Sequence, residues 1–133
     1  MCTSIRFRSL APAGVFSIVR LGPKAKVPAW AMRSGLVSVT RTESELSIVC
    51  NGDRVPAGVR REDGFRCLEV DGPLPFDAVG VLSSLTRPLA GARIPILAIS
   101  TFDTDLLFVR EPQLAAAIRA LQRAGHRIAR AVE

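Results

Sequence analysis

Three features of this sequence predict an α+β fold with helices on one face of an antiparallel sheet. Apolar and polar residues alternate over 36–40 and 46–50 around a short polar connection at 41–45, as in a β-hairpin. Val81, Leu82, Leu85 and Leu89 fall at helical spacing within 78–90, and Leu114, Ala117, Ile118 and Leu121 do so beyond Pro112. Apolar runs over 65–70, 94–101 and 105–110 read as strands around the first of those helices.

The individual elements follow from local signals. Residues 15–19 form a strand pattern ended by Gly22-Pro23, and Pro28 opens a short helix closed near Gly35. Residues 51–64 are a polar, turn-rich connector, and Asp71-Gly72-Pro73 is a turn. Asp77 stands where a helix N-cap stands, and Pro88 is expected to kink the last turn of its helix. Gly125 is placed to end the second helix, and 128–132 supplies a final strand. The order strand, helix, strand, strand, helix, strand is ferredoxin-like. Residues 61–133 carry one such βαββαβ unit, and 12–60 an abbreviated version of it, giving a tandem arrangement.

Composition narrows the function. The chain has 133 residues, 48% hydrophobic and 23% charged, enough apolar material for a core and too little charge for wholesale disorder. The net charge of +6 rests on arginines scattered along the chain, since Lys24 and Lys26 are the only lysines. A basic balance suits acidic partners, but tyrosine is absent and Trp30 is the only tryptophan, which argues against a nucleic-acid stacking surface. Cys2, Cys50 and Cys67 have no CxxC pairing, so neither a disulfide framework nor a zinc site is indicated. With His126 the only histidine, no metal or other cofactor is expected. There is no GxSxG elbow, P-loop or dinucleotide fingerprint, and no catalytic residue is assigned; the chain is not read as an enzyme. No run approaches the roughly 18 apolar residues of a membrane span. Pro12, Gly14 and Arg20 interrupt the only stretch resembling a signal peptide, so a cytoplasmic location is expected.

The segment Ser100, Thr101, Phe102, Asp103, Thr104 and Asp105 lies between the apolar runs 96–99 and 106–109, both read as buried strands. Polar groups there need partners, and a carboxylate near a core needs a cation. Asp105 is placed nearer the sheet than Asp103 and is the preferred cation site. An internal ion pair with Arg93 or Arg110 is the alternative. Trp30 reads as a packing residue, and His126 as a helix-end residue favoured by the helix dipole when protonated. Arg119 and Arg123, at i and i+4, mark a solvated helix face or one that meets an acidic partner.

Gly72-Pro73-Leu74, the run 76–82, Pro88-Leu89-Ala90, Ile94-Pro95-Ile96 and 100–105 together resemble an ACT domain. With Pro28-Ala29-Trp30 and residues 45–50, the chain resembles small bacterial two-ACT proteins related to CASTOR-type and aspartate-kinase-type regulatory domains. That resemblance implies an amino acid, or a similar small zwitterion, bound at an interface between ACT units. One wall maps onto Asp77, Val79, Gly80 and Val81, whose amides suit a carboxylate, and the other onto Ser100 to Asp105. It also implies signalling through association, as a homodimer or with a regulated enzyme or other protein. The family often shows tyrosine where this chain has Phe102 and another aromatic where it has Leu106. A constitutive interaction module with no ligand is therefore the alternative reading.

Overall fold

The computed structural model describes residues 6–9, 14–71 and 73–129. In chain order the elements are β1 (Arg6–Ser9), β2 (Phe16–Leu21), β3 (Ser38–Arg41), β4 (Leu46–Asn51), β5 (Arg61–Val70), α1 (Val81–Gly91), β6 (Leu97–Ser100), β7 (Asp105–Arg110), α2 (Leu114–Arg123) and β8 (Arg127–Ala129). They divide into two compact units, residues 13–65 and residues 1–12 with 66–133.

In the first unit β4 pairs antiparallel with β2 (Phe16↔Asn51 to Leu21↔Leu46) and with β3 (Ser38↔Val49 to Arg41↔Leu46). On its other side β2 meets the start of β5, Phe16 opposite Phe65 and Val19 opposite Arg61. Val19, Ala31, Leu46, Ile48, Cys50 and Val55 form the core, and Trp30 packs against it. The helix expected after Pro28 is a single 3-10 turn at Ala31–Arg33, since Gly35 and the β3 strand leave no room for a second turn. Residues 61–64, expected in the polar connector, belong instead to β5. Their polar side chains suit a strand because the buried Ser17 hydroxyl needs a partner and donates to Asp63 Oδ1 at 2.5 Å.

The second unit is the α+β ferredoxin-like arrangement. β7 lies between β6 and β5, with β6 and β7 antiparallel from Leu97↔Phe108 to Ser100↔Asp105. β5 also pairs antiparallel with β1, and β1 pairs in parallel with β8. The strand β1 was not expected, because four residues are too few to display a periodic pattern. Leu106, Leu107, Phe108 and Val109 are buried, as expected of 106–109, but the edge strand β6 is only half-buried. Residues 94–96 precede that strand rather than belonging to it. Of the strand expected over 128–132, residues 130–132 lie outside the described residues.

Leu85 and Leu89 of α1 and Ala117, Ala120 and Leu121 of α2 meet Leu68, Val70, Leu107 and Val109 of the sheet in one core. Burying each leucine contributes about 1.5–3 kcal/mol. Two tight endings bring the helices back to the sheet. After α2, Gly125 is left-handed (φ 95°), His126 N–H donates to the Leu121 carbonyl at 3.0 Å, and Gly125 N–H to that of Gln122 at 3.0 Å. This is a Schellman ending. α1 closes in the same way, with Ile94 N–H to Leu89 and Arg93 N–H to Ala90, both at 3.0 Å. Here the left-handed residue is Arg93 (φ 60°), a position at which glycine is the unstrained choice.

Pro88 lies inside α1 and has no N–H, so the Ser84 carbonyl lacks its donor at i+4. His126, 3% exposed, places Nε2 3.0 Å from that oxygen. A carbonyl only accepts, so Nε2 carries the proton and donates. His126 is thus a buried bridge from the end of α2 to the middle of α1, which corrects its reading as a residue that serves the helix dipole.

His126→Leu is expected to lower unfolding stability by about 1–3 kcal/mol by orphaning the Ser84 carbonyl. In a Pro88→Ala background the amide restored at position 88 takes over that oxygen, and urea titration of the double-mutant cycle is expected to show a smaller loss. Arg93→Gly is expected to raise stability by up to about 1 kcal/mol, read as a higher urea midpoint, by relieving the left-handed backbone.

Candidate functional site

The loop between β5 and α1 and the turn between β6 and β7 meet and enclose a pocket of about 400 Å³ within the second unit. That volume falls in the range of small-molecule sites. Leu74 N–H donates to the Asp103 carbonyl at 2.7 Å and ties the loop to the turn. The turn closes on itself through Thr101 N–H to the Thr104 carbonyl at 2.8 Å. Thr101 Oγ1 also accepts from Thr104 N–H at 3.1 Å. Thr104 Oγ1 donates to the Val70 carbonyl at 2.6 Å and anchors the turn on the end of β5. Thr101 thus closes the turn on itself, and Thr104 ties it to β5.

One wall is the start of α1. Gly80 is its N-cap in the left-handed region (φ 80°, ψ 5°), with no side chain capping it. The first intrahelical bond is Ser84 N–H to the Gly80 carbonyl at 3.0 Å, so the amides of Gly80, Val81, Leu82 and Ser83 have no acceptor within the helix. They carry the partial positive charge of the helix end. The cap expected at Asp77 is therefore corrected. Gly80's left-handed backbone delays the helix to Val81, leaving Asp77 exposed in a turn closed by Ala78 N–H to the Pro75 carbonyl at 3.0 Å.

The opposite wall carries negative charge. Both Asp103 and Asp105 line the pocket, Asp103 exposed and Asp105 half-buried. Opposite each other across β6 and β7, Ser100 and Asp105 are joined by a 2.6 Å bond from Ser100 Oγ to Asp105 Oδ1. The ion pair of Asp105 with Arg93 or Arg110 offered as an alternative does not form among the described residues. Among the described residues no lysine or arginine lines the pocket. At its rim the rings of Phe76 and Phe102, each 82% exposed, lie 5.9 Å apart.

Of the residues singled out in the sequence, Gly80, Val81, Ser100, Thr101, Phe102, Asp103, Thr104 and Asp105 line this pocket. Asp77 and Val79 do not, and Val79 is 97% exposed. Sequence reasoning missed Leu74, Pro75, Phe76, Ala78, Leu82 and Ser83 as lining residues, of which Leu82 and Ser83 become identifiable once the helix start is set at Val81.

Burial pushes the Cys67 thiol up to about 12, with the charge of Glu69 adding to the effect, and burial also raises Cys50. Neither supplies a thiolate near neutral pH. Among the described residues no group of three or more His, Cys, Asp or Glu side chains is placed to hold a metal ion. No helix among them is long and apolar enough to cross a membrane.

A family model described as an ACT domain matches residues 60–123, and one described as an N-terminal domain matches residues 14–58. A crystal structure of an Agobacterium tumefaciens protein is 40% identical, covering 98% of this chain and 96% of its own, with a TM-score of 0.92. Residues 60–123 are an ACT domain. ACT domains are regulatory modules and typically non-catalytic. More distant structures share the fold. A Vibrio cholerae protein of unknown function, described as a possible transport protein, is 18% identical over 92% of this chain and 91% of its own, TM-score 0.73. The ligand-free regulatory subunit of Thermus thermophilus aspartate kinase is 8% identical over 93% of this chain and 99% of its own, TM-score 0.60.

Proposed function

We propose that this ACT-domain protein is a cytoplasmic regulatory sensor whose pocket binds an amino acid or a similar small zwitterion. The observation that carries the reading is the pairing of opposite poles across one amino-acid-sized cavity. The amides of Gly80 to Ser83, which have no acceptor within the helix, suit a carboxylate, and Asp103 and Asp105 suit an ammonium. Membership of a family of regulatory modules supports it, as does the fold shared with a regulatory subunit of aspartate kinase. Residues 12–60 serve in this proposal as an abbreviated ACT-like unit beside the complete unit of 61–133.

The signal passes by association. A second copy of the chain closes over the pocket mouth, or a separate regulated enzyme docks there, and ligand that binds the assembled form better favours it by mass action. A specific observation favours a second reading, a constitutive interaction module without ligand: Phe76, Val79 and Phe102 are all strongly exposed, and such side chains fit a permanent protein contact.

Thermal-shift titration with the common amino acids separates the two. The sensor reading expects saturable stabilisation by one chemical class, with affinity lowered about tenfold or more in Asp105→Ala, a loss in the range for an unpaired charge-assisted contact. Asp77→Ala, outside the pocket, is expected to bind like the parent. A flat response to every amino acid favours the constitutive module.

A further inference from the structure

We propose that the outer face of the α1–α2 layer is a docking surface for a protein that presents clustered aspartate and glutamate carboxylates. Arg87 lies on the exposed side of α1, opposite buried Leu85 and Leu89. Arg119 and Arg123 lie on the exposed side of α2, opposite buried Ala117 and Leu121. The His126–Ser84 bond joins the residue three beyond Arg123 to the residue three before Arg87, in helices that share one core. Neither helix contains a single acidic residue. Among the described residues none of these guanidinium groups makes an ion pair, whereas Arg66 is engaged by Glu111 at 3.2 Å and Arg61 by Asp63 at 3.4 Å. The layer thus presents positive charge with no internal counter-charge.

Arg93, exposed just past α1, adds an independent indication. It holds a left-handed backbone at which glycine fits without strain, so the chain keeps a guanidinium there against local preference. Beside these arginines the exposed residues of the two helices and the turn after α1 include the small side chains of Ser83, Ala90, Ala92 and Ala115, with Leu82 and Gln122 the larger uncharged ones. Guanidinium groups match carboxylates in bidentate geometry. A protein surface fits better than nucleic acid, because no exposed aromatic on either helix offers a stacking platform.

The test uses the full chain and two charge-matched variants: Arg87→Gln/Arg119→Gln/Arg123→Gln on the helix layer, and Lys24→Gln/Lys26→Gln/Arg54→Gln in the first unit. Binding of a fluorescein-labelled poly-L-glutamate peptide, and of a labelled DNA duplex, is followed by anisotropy at low salt. The expected result is an affinity for the peptide that falls about tenfold or more in the helix-layer variant and little in the other. Arg93→Gly is expected to bind the peptide more weakly while unfolding at higher urea, a combination that a purely structural role for Arg93 does not produce. Equal losses in both triple variants, no peptide binding, or tighter binding of the duplex through the same arginines would each overturn the proposal.

Discussion

The Ser84 carbonyl must find a donor outside its own helix, and much of the second unit depends on how it does. Pro88 removes the amide that ordinarily serves it, and a buried carbonyl left unpaired costs about 1–3 kcal/mol. His126 meets the need from the first residue beyond the Schellman ending of α2. That hydrogen bond ties the end of α2 to the middle of α1, beside the apolar core the two helices share. The start of α1 forms a pocket wall, and its outer side carries Arg87, so both the candidate site and the basic face depend on that placement.

The pocket is a small solution to an electrostatic problem. Free amides at a helix end and carboxylates on a facing turn are each unfavourable when left to face an apolar site alone. Held apart by a cavity, they are the two poles on which the proposed binding of a zwitterion rests. Their separation is maintained by backbone, through Leu74 to Asp103, and by the Thr104 hydroxyl on Val70, rather than by mobile charged side chains. Among the described residues no lysine or arginine joins the lining, so in the proposed reading the helix end is the pole for a carboxylate.

How much of this was legible in the sequence varied with the range of the interactions involved. The hairpin of β3 and β4, the face of α2 and its stop at Gly125 rest on local periodicity and turn chemistry, and they were readable. So was the turn at 100–105, because a polar cluster between two apolar runs is costly unless it is used. The start of α1 was misread because 78–80 looks helical in composition, while the left-handed backbone of Gly80 is a conformational fact that composition does not carry. β1 and the role of His126 were hidden for a different reason. Each depends on a partner far along the chain, Val70 opposite Phe7 in one case and the Ser84 carbonyl in the other.

The most direct test of the two-pole pocket is an amide NMR titration of the full chain with the amino acid that gives the largest stabilisation, or with each class in turn. The account predicts saturable shifts concentrated at the amides of Gly80 to Ser83 and of Thr101 to Asp105, the two walls moving with one dissociation constant. Saturable shifts that leave both walls unmoved, or no saturable shift with any amino acid, would contradict it.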